Sequence, residues 1–128
     1  MYDIYYAHHQ YKYKSIEEAY ELDLIRRYFP QAKIFNPSTD LKSNLLGDET
    51  IIRRECLETV RASDILIFSS MNGIVGTGVY HEVEEAQRAN KIVFCIFHDR
   101  LYSDFTILER PKSQRTDRLY GTVHLNVW

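Results

Sequence analysis

Two short runs of nearly uninterrupted apolar residues constrain the fold of this chain more than any other feature of its sequence. They extend from Asp64 to Ser69 (DILIFS) and from Lys91 to Phe97 (KIVFCIF). A strand that is apolar on both faces is covered on both faces, which is typical of the interior of a parallel sheet. Two further strands are predicted at 2–7 and 32–36, where short apolar runs end at polar or turn-forming residues.

Amphipathic helices are predicted between these strands. The first begins after Ser15, which opens a capping box, and ends before Pro30. Its predicted apolar stripe, at four-residue spacing, is Ile16, Tyr20, Leu24 and Tyr28. The second helix, at about 49–61, carries Ile52, Cys56 and Val60 on one face. The third, at about 79–89, buries Val79, Val83 and Ala86.

Strands and helices therefore alternate along the chain, which predicts one parallel sheet with right-handed crossovers and helices on both faces. We expect a single α/β domain over residues 1–128, with the three-layer, flavodoxin-like or Rossmann-like architecture. The predicted strand order is second, first, third, fourth. In such sheets the ligand crevice lies beyond the carboxyl ends of the strands.

The remaining segments are predicted to be less regular. Residues 37–49 are polar and indicate a loop, and the glycine-rich stretch 70–78 indicates another. Beyond His98 the pattern is charged and irregular as far as Tyr120. Residues 122–127 alternate enough to predict an edge strand.

Composition excludes several classes of protein. The formal net charge of −2 argues against bulk nucleic-acid binding, which requires a basic surface. The two cysteines, Cys56 and Cys95, lie in apolar stripes and are expected to be core thiols in a reducing, cytoplasmic compartment. No signal peptide and no apolar run of about 20 residues is visible, so no membrane partner is expected.

Helical phase singles out Glu82 among the acids of the third helix. At about 100° per residue, Glu82 lies roughly 60° from the centre of the buried stripe, whereas Glu84, Glu85 and His81 point away from it. Glu82 also follows the glycine-rich loop at the expected crevice, where a carboxylate is suited to act as nucleophile or base. The alternative is a structural acid that pairs with a basic residue or favours the helix N terminus.

Other polar residues are expected at the same edge of the sheet. Tyr5 and His8 lie near the end of the first strand. Ser69, Ser70 and Asn72 lie near the end of the third. The loop that leads into the third helix contains Gly76, Thr77 and Gly78, which permit close approach of a ligand to the backbone, although a plain turn explains them equally well. The histidines have no metal-ligand spacing, so neither a metal nor a cofactor is expected.

One stretch of the chain resembles a known family. The run GTGVYHEVEEA at 76–86, followed by Lys91-Ile92-Val93, resembles the nucleoside 2-deoxyribosyltransferase superfamily, which includes nucleotide N-glycosidases. Ile4-Tyr5-Tyr6-Ala7 is similar to the first strand of that family, and Ala62 to Ile67 to its third strand. The resemblance covers roughly residues 2–97.

The resemblance implies cleavage or transfer at the N-glycosidic bond of a nucleoside or nucleotide. It implies Glu82 as the nucleophile and Tyr5 as the residue that positions it. The substrate-binding residues are expected among those at the crevice, namely His8, Ser69, Asn72, Gly76, Thr77 and Gly78. It also implies a homodimer or a higher oligomer. The family has further acids at two positions, which are Gly76 and Cys56 in this chain. His8 or Glu55 would have to substitute for those acids.

Two other functions remain open at this point. The same crevice would also suit a nucleotide-binding module without turnover, which the two missing acids favour. Alternatively, the chain would be a structural or interaction protein, with the aromatic-containing end Leu125 to Trp128 at an interface.

Overall fold

A computed structural model describes residues 1–43, 47–111 and 119–126. The strands in this part of the chain are β1 (Asp3–Ala7), β2 (Lys33–Phe35), β3 (Ile65–Ser69), β4 (Ile74–Val75), β5 (Ile92–Phe97), β6 (Arg100–Tyr102), β7 (Phe105–Glu109) and β8 (Gly121–Leu125). The helices are α1 (Ile16–Tyr28), α2 (Pro37–Asp40), α3 (Glu49–Ala62) and α4 (Thr77–Arg88), with a 3-10 helix at Gln10–Lys12.

The four predicted strands lie next to one another in the main sheet. Its strand order is β2-β1-β3-β5-β6, and the pairs β1–β2, β1–β3 and β3–β5 are parallel. The predicted order of the four strands is therefore confirmed. The strand β6 adds an antiparallel edge, with Phe97 opposite Arg100, in a stretch that was expected to be irregular.

Two apolar clusters lie on the two faces of this sheet. Alternation along β1 sends Tyr5 into a cluster with residues of α3 and α4, such as Val60 and Val83. The next residue, Tyr6, enters the other cluster with Leu24 of α1. The sheet is thus covered by α1 on one face and by α3 and α4 on the other.

The predicted buried face of α1 is wrong. Ile16 is 90% exposed, and Tyr20 and Tyr28 are also exposed, so that Leu24 is the one member of the predicted stripe that is buried. The helix instead buries Glu18, Glu21, Leu24 and Ile25. Glutamates occupy this face because basic and hydroxyl groups from other segments pair with their carboxylates, as described below.

The C-terminal third of the chain is more regular than predicted. A second sheet has the order β4-β8-β7, with all of its pairs antiparallel. The predicted edge strand is β8, which lies at the centre of this sheet and not at an edge, while Val127 lies outside the described residues. Phe105, Ile107, Val123 and Leu125 pack against the cluster that contains α3 and α4.

Two predicted loops also contain regular structure. Within the stretch 37–49, Asn36 caps the short helix α2, since its side chain accepts a hydrogen bond from the Ser38 amide. The glycine-rich stretch 70–78 contains β4 and the start of α4, which begins two residues earlier than predicted. Among the described residues, no helix is long and apolar enough to cross a membrane.

Candidate functional site

A cavity of about 480 Å³ opens beyond the carboxyl end of β1, beside α3 and α4. Three segments enclose it: the chain after β1, the first half of α3, and the start of α4. The residues that line it are His8, His9, Gln10, Tyr13, Glu49, Ile52, Arg53, Cys56, Leu57, Gly76, Thr77, Gly78, Val79, His81 and Glu82.

Glu82 lies in this cavity and contacts β1. The burial of Val79, Val83 and Ala86 fixes the rotation of α4, and Glu82 then points to the crevice beside that stripe. The hydroxyl of Tyr5 donates a hydrogen bond to Oε2 of Glu82. The structure therefore brings together the two residues that the sequence predicted for catalysis.

The environment of Glu82 changes its acidity. Burial raises the pKa of the Glu82 carboxyl to about 7, because the charged form loses solvation. Hydrogen bonds from Tyr5 and Cys56, and the positive charge of Arg53, oppose this effect. Burial and the neighbouring carboxylate also raise the pKa of Tyr5 well above its usual value, so that Tyr5 is a neutral hydrogen-bond donor.

The start of α4 forms a second part of the cavity wall. Gly76 caps this helix in extended backbone conformation without a side-chain hydrogen bond, and Thr77 and Gly78 form its first turn. A side chain at Gly78 would meet nothing within 4 Å, so there is open space beside this turn. All three of these predicted residues line the cavity.

His8 lines the cavity, but its ring nitrogens face protein groups. Nε2 lies 2.7 Å from Oε2 of Glu18, and Nδ1 lies 3.3 Å from the carbonyl oxygen of Tyr6. The imidazole also stacks on the Tyr6 ring, with 3.8 Å between the ring centroids. Burial lowers the pKa of His8, although its hydrogen bond with Glu18 opposes that effect.

The structure places the two other predicted binding residues outside the cavity lining. Ser69 is buried on the opposite side of β3, where its hydroxyl contacts Lys12 and Glu21. Asn72 is exposed in the turn between β3 and β4, with a φ of 51°. Because β3 is apolar on both faces, its sequence pattern did not reveal which face carries the cavity and hence which side Ser69 is on.

Several lining residues were not singled out by the sequence. His9, Gln10 and Tyr13 lie in the segment after β1, and Arg53 and Cys56 lie on α3. The signal available was position alone, because a segment that leaves the carboxyl end of a central strand borders the crevice. Cys56 packs against the apolar cluster as expected, but it is only partly buried and also lines the cavity, and burial raises its pKa to about 11.

Two acids have roles that differ from those expected. The carboxylate of Glu55, which was considered as a substitute acid, accepts hydrogen bonds from the backbone amides of Lys42 and Ser43 and does not line the cavity. Glu85 was expected to point into solvent. Instead it lies between α3 and α4, where its carboxylate is 2.7 Å from Nη1 of Arg61.

The described residues contain no group of three or more histidine, cysteine, aspartate or glutamate side chains that could hold a metal ion.

A comparison of the chain with models of known protein families finds no match, and a comparison with curated protein sequences finds none either.

Proposed function

We propose that this protein cleaves or transfers the N-glycosidic bond of a nucleoside or nucleotide, with Glu82 as the nucleophile. The observation that carries the proposal is the position of the Glu82 carboxylate, which lines a cavity at the carboxyl edge of a parallel sheet and accepts a hydrogen bond from Tyr5. The resemblance of residues 76–86 to the nucleoside 2-deoxyribosyltransferase superfamily supports the same assignment.

In the proposed reaction, an oxygen of the ionised Glu82 attacks the anomeric carbon of the sugar. A carbon–oxygen bond forms, and the bond between the sugar and the base nitrogen breaks with its electron pair passing to the base. Water or a second base then attacks the glycosyl ester and releases the carboxylate. Because burial raises the pKa of Glu82 to about 7, the nucleophile is about half ionised at neutral pH.

Tyr5 has a positioning role in this proposal. Its hydrogen bond to Oε2 fixes the orientation of the Glu82 carboxylate at the cavity. The bond also favours the ionised form of Glu82, since it stabilises the negative charge. The departing base needs a proton, for which the imidazoles of His9 and His81 are candidates because both residues line the cavity.

The cavity suits a ligand of the proposed class. Its volume of about 480 Å³ is within the range of roughly 300–1,000 Å³ that is usual for small-molecule sites. Tyr13 offers an aromatic ring and Gln10 an amide, which are groups suited to a base. The first turn of α4 and Arg53 are suited to polar or anionic parts of the ligand.

A nucleotide-binding module without turnover is the second candidate function. It is favoured by the residues at the two positions where the related family has further acids, since Gly76 and Cys56 carry no carboxylate. The same cavity would then bind the ligand without breaking a bond. A purely structural role has less support, because it leaves the raised pKa of Glu82 without a use.

We extend the proposal to architecture, assembly and location. The coverage of the sheet on both faces supports the three-layer, flavodoxin-like arrangement. Exposed large apolar side chains, such as Phe97 and Leu108, support self-association as a homodimer or higher oligomer. The free thiols Cys56 and Cys95 are compatible with a cytoplasmic location.

The test is incubation with a panel of nucleosides and nucleoside 5′-monophosphates, followed by chromatography for free base. Release of base by the wild-type protein, lost in Glu82→Gln, supports the enzyme. Saturable binding without release of base identifies the binding module instead. If no member of the panel is cleaved or bound, both candidate functions are wrong.

A further inference from the structure

A buried polar cluster lies on the opposite side of the sheet from the cavity. It consists of Tyr6, Lys12, Glu21 and Ser69. Lys12 and Glu21 are each more than nine-tenths buried, and the proposed reaction uses neither of them. A buried ion pair adds little stability over an apolar pair of the same size, so this cluster calls for another explanation.

The ammonium group of Lys12 connects three parts of the fold. Its Nζ donates hydrogen bonds to Oε2 of Glu21 at 2.9 Å, to Oγ of Ser69 at 3.1 Å, and to the carbonyl oxygen of Ser70 at 2.8 Å. Glu21 belongs to α1, and the two serines are at the end of β3. Each donor of the ammonium therefore has an acceptor on an element that the sheet fixes in place.

Lys12 itself belongs to the segment that forms one wall of the cavity. We call residues 8–13 the wall segment, since His8, His9, Gln10 and Tyr13 all line the cavity. Its regular structure is a single turn of 3-10 helix, closed by the bond from the Lys12 amide to the His9 carbonyl at 2.9 Å. So short a helix has little stability of its own, and side chains must hold it in place.

Other contacts hold the two ends of the wall segment. His8 contacts Glu18 of α1 and stacks on Tyr6 of β1, and the amide of Lys14, just beyond the wall segment, donates to the Glu18 carboxylate at 3.1 Å. The ammonium group of Lys12 joins the single turn of 3-10 helix to both α1 and β3. The chain continues from β3 through residues 70–76 to the opposite wall at the start of α4.

We propose that Lys12 is a positioning residue that holds the wall segment at a fixed distance from Glu82. Lys12 is not among the residues that line the cavity, so it acts on the ligand through His9, Gln10 and Tyr13. The buried cluster provides its anchor. The kinetic part of this inference rests on the proposed function, whereas the structural part does not.

The experiment compares Lys12→Met with the double variant Lys12→Met/Glu21→Gln and with Lys14→Met. Lys12→Met removes the anchor but leaves the Glu21 carboxylate without its cation. The double variant removes that charge while the glutamine still accepts from Tyr6 and Ser69, so we expect it to regain stability. Lys14→Met is the matched control, since it removes an exposed positive charge just beyond the same segment.

Hydrogen exchange and ligand affinity are the readouts. In both Lys12 variants we expect the amides of residues 10–13 to exchange about tenfold faster, with β1 and β3 unchanged in the double variant. For any nucleotide that the wild-type protein cleaves, KM should rise about tenfold while kcat changes less than about threefold. Lys14→Met should match the wild-type protein in each measurement.

Two results would overturn the inference. One is a double variant that regains wild-type stability together with wild-type exchange at residues 10–13, since Lys12 would then only balance a charge. The other is faster exchange throughout the sheet in the double variant, which would make Lys12 a residue of general stability. Failure of the proposed function has a different signature, because the wild-type protein would then release no base while the exchange result would stand.

Discussion

The hydroxyl of Tyr5 donates a hydrogen bond to the carboxylate of Glu82, although 77 positions of sequence separate the two residues. Tyr5 is on β1, which lies between β2 and β3 in the main sheet, and Glu82 is in the second turn of α4. The contact would be lost if β1 or α4 were shifted by one residue, because successive residues of a strand or helix face different directions. The predictions below test what this contact does for chemistry and for stability.

Replacement of Glu82 by glutamine should abolish turnover while the fold persists. The amide is nearly isosteric and can still accept from Tyr5, but it cannot act as the nucleophile. We expect a loss on the order of a hundredfold or more in kcat, measured as base released. Glu84→Gln on the same helix is the control, since its side chain is bound by Tyr80 and Arg88 and is not at the cavity. Near-full activity in Glu82→Gln would place the chemistry elsewhere.

The acid limb of the pH profile should report the ionisation of Glu82. With a pKa of about 7, kcat/KM should rise between about pH 6 and pH 8. Tyr5→Phe removes a hydrogen bond that lowers this pKa, so the limb should move to higher pH and the rate at pH 7 should fall. A profile in Tyr5→Phe that is unchanged, or moved to lower pH, would contradict the role given to Tyr5.

Stability should fall as pH rises through the titration of Glu82. The pKa in the folded state, about 7, is above the value of 4.5 that applies to an unfolded chain. The folded state therefore binds the proton more tightly, and the benefit is complete below about pH 4.5 and lost as the pH passes 7. The difference amounts to about 3 kcal/mol at most.

Glu82→Gln separates this effect from other titrations. The variant stays neutral, so we expect it to be more stable than the wild-type protein at pH 8 and similar to it at pH 5. Urea unfolding at the two pH values measures the difference. Equal stability of the two proteins at pH 8 would mean that the carboxylate is not desolvated.

The second sheet should depend on Gly121. A Cβ atom there would lie 2.3 Å from the carbonyl oxygen of Leu108, which is backbone of the neighbouring strand and cannot move aside. We expect Gly121→Ala to destabilise the fold by about 2–4 kcal/mol, with a lower Tm. Gly78→Ala is the control for stability, since its Cβ would meet nothing within 4 Å. A Tm equal to that of the wild-type protein would rule out the β7–β8 register.

Self-association should be detectable in solution. Large apolar side chains, including Ile16, Phe97 and Leu108, are exposed in the single chain. We expect light scattering at tens of micromolar to give at least the mass of a dimer. A monomer under those conditions would contradict this expectation.

Local pattern was sufficient to predict the parallel sheet and the orientation of Glu82. The strands β3 and β5 are apolar on both faces, and the spacing of Val79, Val83 and Ala86 fixes α4, so both signals lie within a few residues of sequence. Neither requires knowledge of a distant partner.

The sequence pattern gave a wrong prediction where the buried face of an element depends on partners distant in sequence. The buried face of α1 carries Glu18 and Glu21, and these carboxylates are tolerated there because His8 and Lys12, from the preceding loop, pair with them. Ser69 faces the same side, because alternation along β3 places it with Ile65 and Ile67. No periodicity within α1 contains information about its partners, so apolar Ile16 and Tyr20 were assigned to the core in error.

The strand β8 has a consequence for shortening the chain. It pairs with β4 immediately before Gly76, and its Val123 amide donates to the carbonyl oxygen of Gly73 at 2.8 Å. Yet each of the described residues that line the cavity precedes position 83. A truncation after β5 would therefore keep these lining residues but remove the strand that supports the entry into α4. A fragment that contains the lining residues of the site is therefore shorter than the fragment needed to fold that site.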